Sequence, residues 1–275
     1  MVARPDDGDG LLDAVEESSF DPTEPGRAPE EPPRWWGNHL GEFRWQAELA
    51  RLLVDPVYRG SGVPRGDGGP VMLIPGFMAG DGSLSVLREW LRRMGYDARA
   101  SGIQMNVDCS DRAVDRLDTR LELIWRQTGS PVALVGHSRG GHFAKALAHR
   151  RPDRVSAVVS MGAGLDTPFD ISLPTKGAIA AVRSVHNATD PKMRESGCFT
   201  AECKCKFTRD YSGEFPSSVP LTSIYSRGDG VVRWRACIVD YADCVEVTGS
   251  HVGLAFNRKA YRALAEALAR RGDAR

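Results

Sequence analysis

The run Val132-Ala133-Leu134-Val135-Gly136-His137-Ser138-Arg139-Gly140-Gly141 constrains the chain more than any other stretch. Its first four residues are apolar and read as a short, fully buried strand. Residues 141–150 then place Phe143, Ala144, Leu147 and Ala148 on one face of a helix. Between strand and helix lies Gly136-x-Ser138-x-Gly140. A turn this tight brings strand and helix so close that a Cβ at either glycine would collide with one of them. The serine at the apex is lifted clear of the sheet, and the N–H that follows it points where an oxyanion would form. Ser138 is the candidate nucleophile.

Strands and helices alternate on both sides of this turn. Val71-Met72-Leu73-Ile74 reads as a buried strand, followed by Pro75-Gly76-Phe77-Met78. Asp81 or Ser83 then caps a helix through Met94, with Leu84, Leu87, Trp90 and Leu91 on its inner face. A short strand at 98–101 leads to a helix opened by Asp111, in which Val114, Leu117, Leu121, Ile124 and Trp125 recur at threes and fours. Residues 155–160, 221–225 and 244–247 supply further strands, and 257–271 a closing amphipathic helix. Near the start, 40–54 predicts a helix that packs through Phe43, Ala47, Ala50, Leu53 and Val54, beside Trp35, Trp36 and Trp45. This alternation predicts an α/β fold, a doubly wound and mainly parallel sheet, with ligands at the carboxyl ends of the strands.

Lys+Arg and Asp+Glu number 36 each, so the formal charge is zero and nothing favours nucleic acid or an anionic membrane as partner. No run of about 18 apolar residues marks a transmembrane segment. The polar, acidic start has no apolar leader core, which makes a cytoplasmic protein the expectation, with six cysteines leaving an exported form open. Residues 1–33 are acidic and proline-rich and bury too little apolar surface to offset chain entropy. They are expected to form a disordered tail, and 34–275 the folded domain, with an insertion at about 165–216.

A serine hydroxyl needs a histidine to take its proton and an acid to orient that histidine. After a strand–serine–helix turn the expected order is serine, acid, histidine. His39 precedes the sheet, His137, His142 and His149 sit on the turn or its helix, and His186 lies in the insertion. His251 alone follows the last strand, which makes it the candidate base. For the acid, Asp229 stands past a strand end between two glycines and is favoured over Asp166. The oxyanion donors are expected to be the Arg139 and Phe77 N–H groups. Met78, His137 and Phe169 are candidate pocket residues.

Ile74-Pro75-Gly76-Phe77, Gly136-His137-Ser138-Arg139-Gly140-Gly141, Gly228-Asp229-Gly230-Val231-Val232 and Gly249-Ser250-His251 resemble the motifs of serine α/β-hydrolases of the esterase/lipase kind. The resemblance runs from about Val71 to the end of the chain. It implies the α/β-hydrolase fold with a small cap, and hydrolysis of an ester, thioester or amide through an acyl-enzyme without metal or organic cofactor. A small-molecule acyl ester or lipid-like compound is the expected substrate. A thioesterase or acyltransferase acting on a carrier- or CoA-bound acyl group would use the same triad. A non-catalytic binding module is the third reading. Pro-Gly-Phe replaces the His-Gly-Gly-Gly loop of one lipase group, so the chain is more similar to esterases, thioesterases and the shorter bacterial lipases.

The insertion mixes Phe169, Ile171, Ile179, Val182, Phe199, Phe207 and Tyr211 with lysines and arginines, which predicts a lid whose apolar face forms the acyl pocket. Cys198, Cys203 and Cys205 crowd it, and Cys237 and Cys244 follow. The spacing Cys198-x₄-Cys203-x-Cys205 does not match paired C-x₂-C zinc ligands, so no metal is expected. Plain thiols, disulfides such as Cys237 with Cys244, and a zinc site completed by His186 stand as alternatives.

Overall fold

The computed structural model describes residues 40–190, 192, 195, 197–200 and 203–270. The expected tail at 1–33, Trp35, Trp36 and His39 lie outside the described residues.

Six strands form one sheet: β1 (Pro70–Ile74), β2 (Asp97–Ala100), β3 (Val132–His137), β4 (Val155–Met161), β5 (Leu221–Ser226) and β6 (Asp243–Val247). Their order is β2-β1-β3-β4-β5-β6 and every neighbouring pair is parallel. The chain steps outward from β1 to β2, then crosses back and builds β3 to β6 on the other side. The direction therefore switches between β1 and β3, and a crevice opens at their carboxyl ends.

The apolar runs of β1 and β3 are buried on both faces, and their residues divide by parity. Val71, Leu73, Ala133 and Val135 face a core shared with α1 (Trp45–Val54), α2 (Ser85–Arg93) and α7 (Arg258–Arg270). Met72, Ile74, Val132 and Leu134 face a second core with α3 (Ser110–Thr128) and α4 (Arg139–Arg150). α5 (Leu173–Thr189) and α6 (Lys206–Ser212) belong to the insertion between β4 and β5. At its base, Ser172 N–H donates to the Val231 carbonyl (2.7 Å), and the Asp111 carboxylate accepts from the Lys206 and Phe207 amides (3.1 and 2.6 Å).

α1 corrects one expectation. Val54 is 76% exposed, Ala47, Ala50 and Leu53 lie outward with it, and Phe43, in the turn before α1, is 73% exposed. Trp45, Glu48, Leu49 and Leu52 face inward instead, with Trp45 against Phe256 at 5.7 Å between ring centroids. The inner face was obscured because it carries carboxylates among its apolar residues.

The first turn of α4 lies hard against the strands. A Cβ on Gly136 would run into the Gly140 carbonyl, and a Cβ on Gly140 into the Ile74 carbonyl. Both obstacles are backbone, which has no rotamer to yield. Gly140→Ala is therefore expected to destabilise the fold by about 3 kcal/mol or more. Urea denaturation would show this as a lower midpoint at unchanged slope.

Candidate active site

β3 ends at His137 and α4 begins at Arg139, which leaves Ser138 alone at the apex of the turn. Its backbone sits at φ 53° and ψ −127°, a conformation that costs a non-glycine residue about 1–3 kcal/mol. The loop after β1 runs beside it, so close that a Cβ on Gly76 would stand 3.0 Å from the Ser138 Cβ. Phe77, Ser138 and Arg139 share the wall of a cavity of about 230 Å³.

His251 and Asp229 form a buried pair. His251 Nδ1 donates to Asp229 Oδ2 at 2.7 Å, while Asp229 Oδ1 accepts from the Val231 and Val232 amides at 2.8 Å each. The carboxylate is thus held by its own turn and can offer one oxygen to the imidazole. Burial alone would depress the His251 pKa. The Asp229 charge and hydrogen bond, with Glu42 behind them, outweigh it and hold the ring above its ordinary value. The pair abuts the serine turn through β4. Ser138 N–H donates to the Met161 carbonyl (2.8 Å), and a Cβ on the next residue, Gly162, would stand 3.2 Å from both Asp229 Oδ2 and His251 Nδ1.

The other candidates fall as follows. Asp166 binds Lys145 Nζ at 3.2 Å and accepts from the Tyr241 hydroxyl, while the carboxylate that meets His251 is Asp229. His137 lies behind the pair and donates from Nε2 to the His251 carbonyl at 2.9 Å. Burial and the adjacent His251 push its pKa down to about 4, which keeps the ring neutral. Phe169 lines the cavity; His137 and Met78 do not, and Met78 is 54% exposed. Ile171, Ile179, Phe199 and Phe207 add apolar wall from the insertion. His186 donates to the Val107 carbonyl (2.8 Å), with Nε2 committed there. Cys237 and Cys244 are free thiols, the latter directed at the Val239 carbonyl (3.4 Å).

Three residues escaped the sequence reading. Glu42 accepts from the backbone amides of Gly230 and His251 (2.9 Å each) and Val252 (3.0 Å), and so joins the Asp229 loop to the His251 loop. Glu48 accepts from the Ser250 amide (3.0 Å) and hydroxyl (2.8 Å). Asn106 is buried beneath the β1 loop. It donates from Nδ2 to the Pro75 carbonyl (2.8 Å), and its own carbonyl accepts from the Met78 amide (3.1 Å) and from Arg139 Nη1 (3.2 Å). Burial lowers the Arg139 pKa to about 10. The guanidinium is still charged at neutral pH, and its partners are the Asn106 and Asp108 carbonyls, Asn106 Oδ1 and the Ser110 hydroxyl.

A family model for the alpha/beta hydrolase fold matches residues 111–185, which include the serine turn. No curated protein matches the chain in sequence. Among solved structures, a soluble variant of monoglyceride lipase from Saccharomyces cerevisiae aligns with a TM-score of 0.54 at 12% identity, over 78% of this chain and 89% of that one. The Bacillus licheniformis lipase BlEst2 aligns at 0.51 and 13% identity, over 75% and 94%. A Paleococcus ferrophilus monoacylglycerol lipase aligns at 0.50 and 16% identity, over 76% and 97%. The chain is an α/β-hydrolase-fold protein. Among the described residues, no helix is long and apolar enough to cross a membrane.

Removing the Glu42 carboxylate leaves three amides without their charged acceptor, each such bond being worth about 1.5–3 kcal/mol. Glu42→Ala is therefore expected to speed amide exchange at Gly230, His251 and Val252 by roughly tenfold or more. Hydrogen exchange read by NMR or mass spectrometry checks this, with unchanged rates at the three amides as the contrary result.

Proposed function

We propose that this protein is a serine hydrolase that cleaves a carboxylic ester through an acyl-enzyme. The observation that carries the reading is the buried His251–Asp229 pair, packed against the turn that holds Ser138 in its strained conformation. In this reading Ser138 Oγ attacks the acyl carbonyl as His251 Nε2 takes its proton. His251 then protonates the leaving alcohol, and the sequence repeats with water. Asp229 fixes the imidazole with Nδ1 protonated, which leaves Nε2 as the basic nitrogen, and stabilises the cation formed in each half-reaction. The Phe77 and Arg139 amides hold the oxyanion. The reading is supported by Phe77, Ser138 and Arg139 meeting at one cavity.

The insertion acts as a lid in this proposal. Its Phe169, Ile171, Ile179 and Phe199 give the cavity apolar walls suited to an acyl chain. Three of the solved structures that share the fold are lipases by name, which agrees with an ester substrate.

A fluorophosphonate probe is expected to label the wild-type chain and not Ser138→Ala. Hydrolysis of p-nitrophenyl esters should fall by about four orders of magnitude or more in that variant. Running the matching acyl-CoA thioesters beside the esters tests the leaving group. A wild-type chain that takes no label would rule out the nucleophile.

His251 must be neutral to accept a proton, and its pKa is raised. Activity is therefore lost as pH falls through a value above 6.5, and recovered above it. A kcat/KM–pH profile should show an acid limb with its midpoint above 6.5, and Asp229→Asn should move that midpoint down while lowering the plateau.

A further inference from the structure

We propose that Cys109, Cys198, Cys203 and Cys205 form a thiolate site for a single divalent cation of the zinc type, which clamps the insertion to the loop beneath the serine turn. Cys109 ends the loop that carries Asn106, and the other three belong to the insertion, so the first ligand stands 89 residues from the next. The Sγ atoms follow one another in space: Cys109 to Cys198 is 2.9 Å, Cys198 to Cys205 is 3.5 Å and Cys205 to Cys203 is 2.7 Å. The sulfurs of Cys109, Cys198 and Cys205 all lie within 4.8 Å of one another, and all three residues are buried. Disulfides consume sulfurs two at a time. Here Cys198 and Cys205 each meet two partners, so the four sulfurs form one continuous cluster, as a shared centre requires. Four thiolates around an ion at about 2.3 Å would stand about 3.8 Å apart. Cys109, Cys198 and Cys205 reach that spacing by small movements, and Cys203, whose sulfur meets Cys205 and lies outside that group of three, completes the set by turning inward.

The surroundings suit a centre of net negative charge. Cys109 occupies the N-cap position of the nineteen-residue α3, where the positive end of the helix favours a thiolate. The Arg139 guanidinium is close enough to feel the charge of Cys109 and Cys198, and Arg112 that of Cys109. Binding forms four sulfur–metal bonds and releases the thiol protons to solvent, with no change of oxidation state.

The site would act on the cavity by fixing its wall. Phe199 follows Cys198 directly, in the left-handed conformation at φ 66°. Its ring lies 4.8 Å from the Arg139 guanidinium carbon and 6.4 Å from the Phe77 ring, and both Phe199 and Cys203 line the cavity. An ion here fixes the cavity wall to the loop that Asn106 ties to the oxyanion side. This proposal stands whether or not the hydrolase reading does.

The test is elemental analysis of the full chain purified under reducing conditions without chelator, with an intact-mass measurement beside it. The expected result is about one zinc per chain, retained by the Cys237→Ser/Cys244→Ser double variant and reduced at least tenfold by Cys109→Ser or Cys198→Ser. Loss of a ligand can unfold the chain, so a second measurement uses the wild type alone. Cobalt(II) reconstitution should give the thiolate-to-cobalt charge-transfer absorption of a tetrahedral sulfur site, and chelation should expose Cys109, Cys198, Cys203 and Cys205 to alkylation. A metal-free chain with all thiols reduced, or one lighter by four hydrogens through two disulfides, overturns the proposal.

Discussion

The close approach of the first turn of α4 to the ends of β1 and β3 is the constraint on which the rest depends. Gly136 and Gly140 let backbone meet backbone where any side chain would intervene. That contact leaves Ser138 nowhere to go except into the crevice, in a conformation it would not choose for itself. It also holds the β1 loop beside the serine, with Asn106 pinning the loop from below. The site is built at the switch point of the sheet because only there do two strand ends diverge enough to admit a ligand.

The two neighbouring buried histidines show how strongly local partners divide one residue type. His137 has only a carbonyl for its ring proton and feels the repulsion of His251, and it stays neutral well into acid. His251 has a buried carboxylate at 2.7 Å and takes up a proton more readily than it would in water. Sequence adjacency puts His137 next to the serine, yet the distant His251 is the one whose hold on a proton is strengthened. The hydrogen bond and the ring contact between the two couple the serine strand to the His251 loop.

The sheet was legible because fully buried strands announce themselves as unbroken apolar runs, as at Val71 and Val132. The triad candidates were legible because each stands just past a strand end, with glycines around it. What escaped was long-range and polar. The inner face of α1 is hard to read because it sets Glu48 among Trp45, Leu49 and Leu52, with Glu42 in the turn just before, and helix periodicity weighs carboxylates as outward-facing. The mixture of acids among apolar residues was the available signal. Asn106 was invisible because its role is to satisfy carbonyls and amides of other segments, which no spacing rule encodes. Cys109 stands 89 residues from Cys198, far beyond the short intervals that motif rules count.

Glu42 and Glu48 meet the loop of His251 across more than two hundred residues of chain. The described fold is thus closed like a belt, its first helix buckled to the loop that precedes its last. During synthesis, the serine turn is finished while the histidine is still untranslated. The His251 loop then emerges onto carboxylates that stand among the first of the described residues. A molecule truncated before β6 would keep the strained Ser138 turn and lack the loop that carries His251.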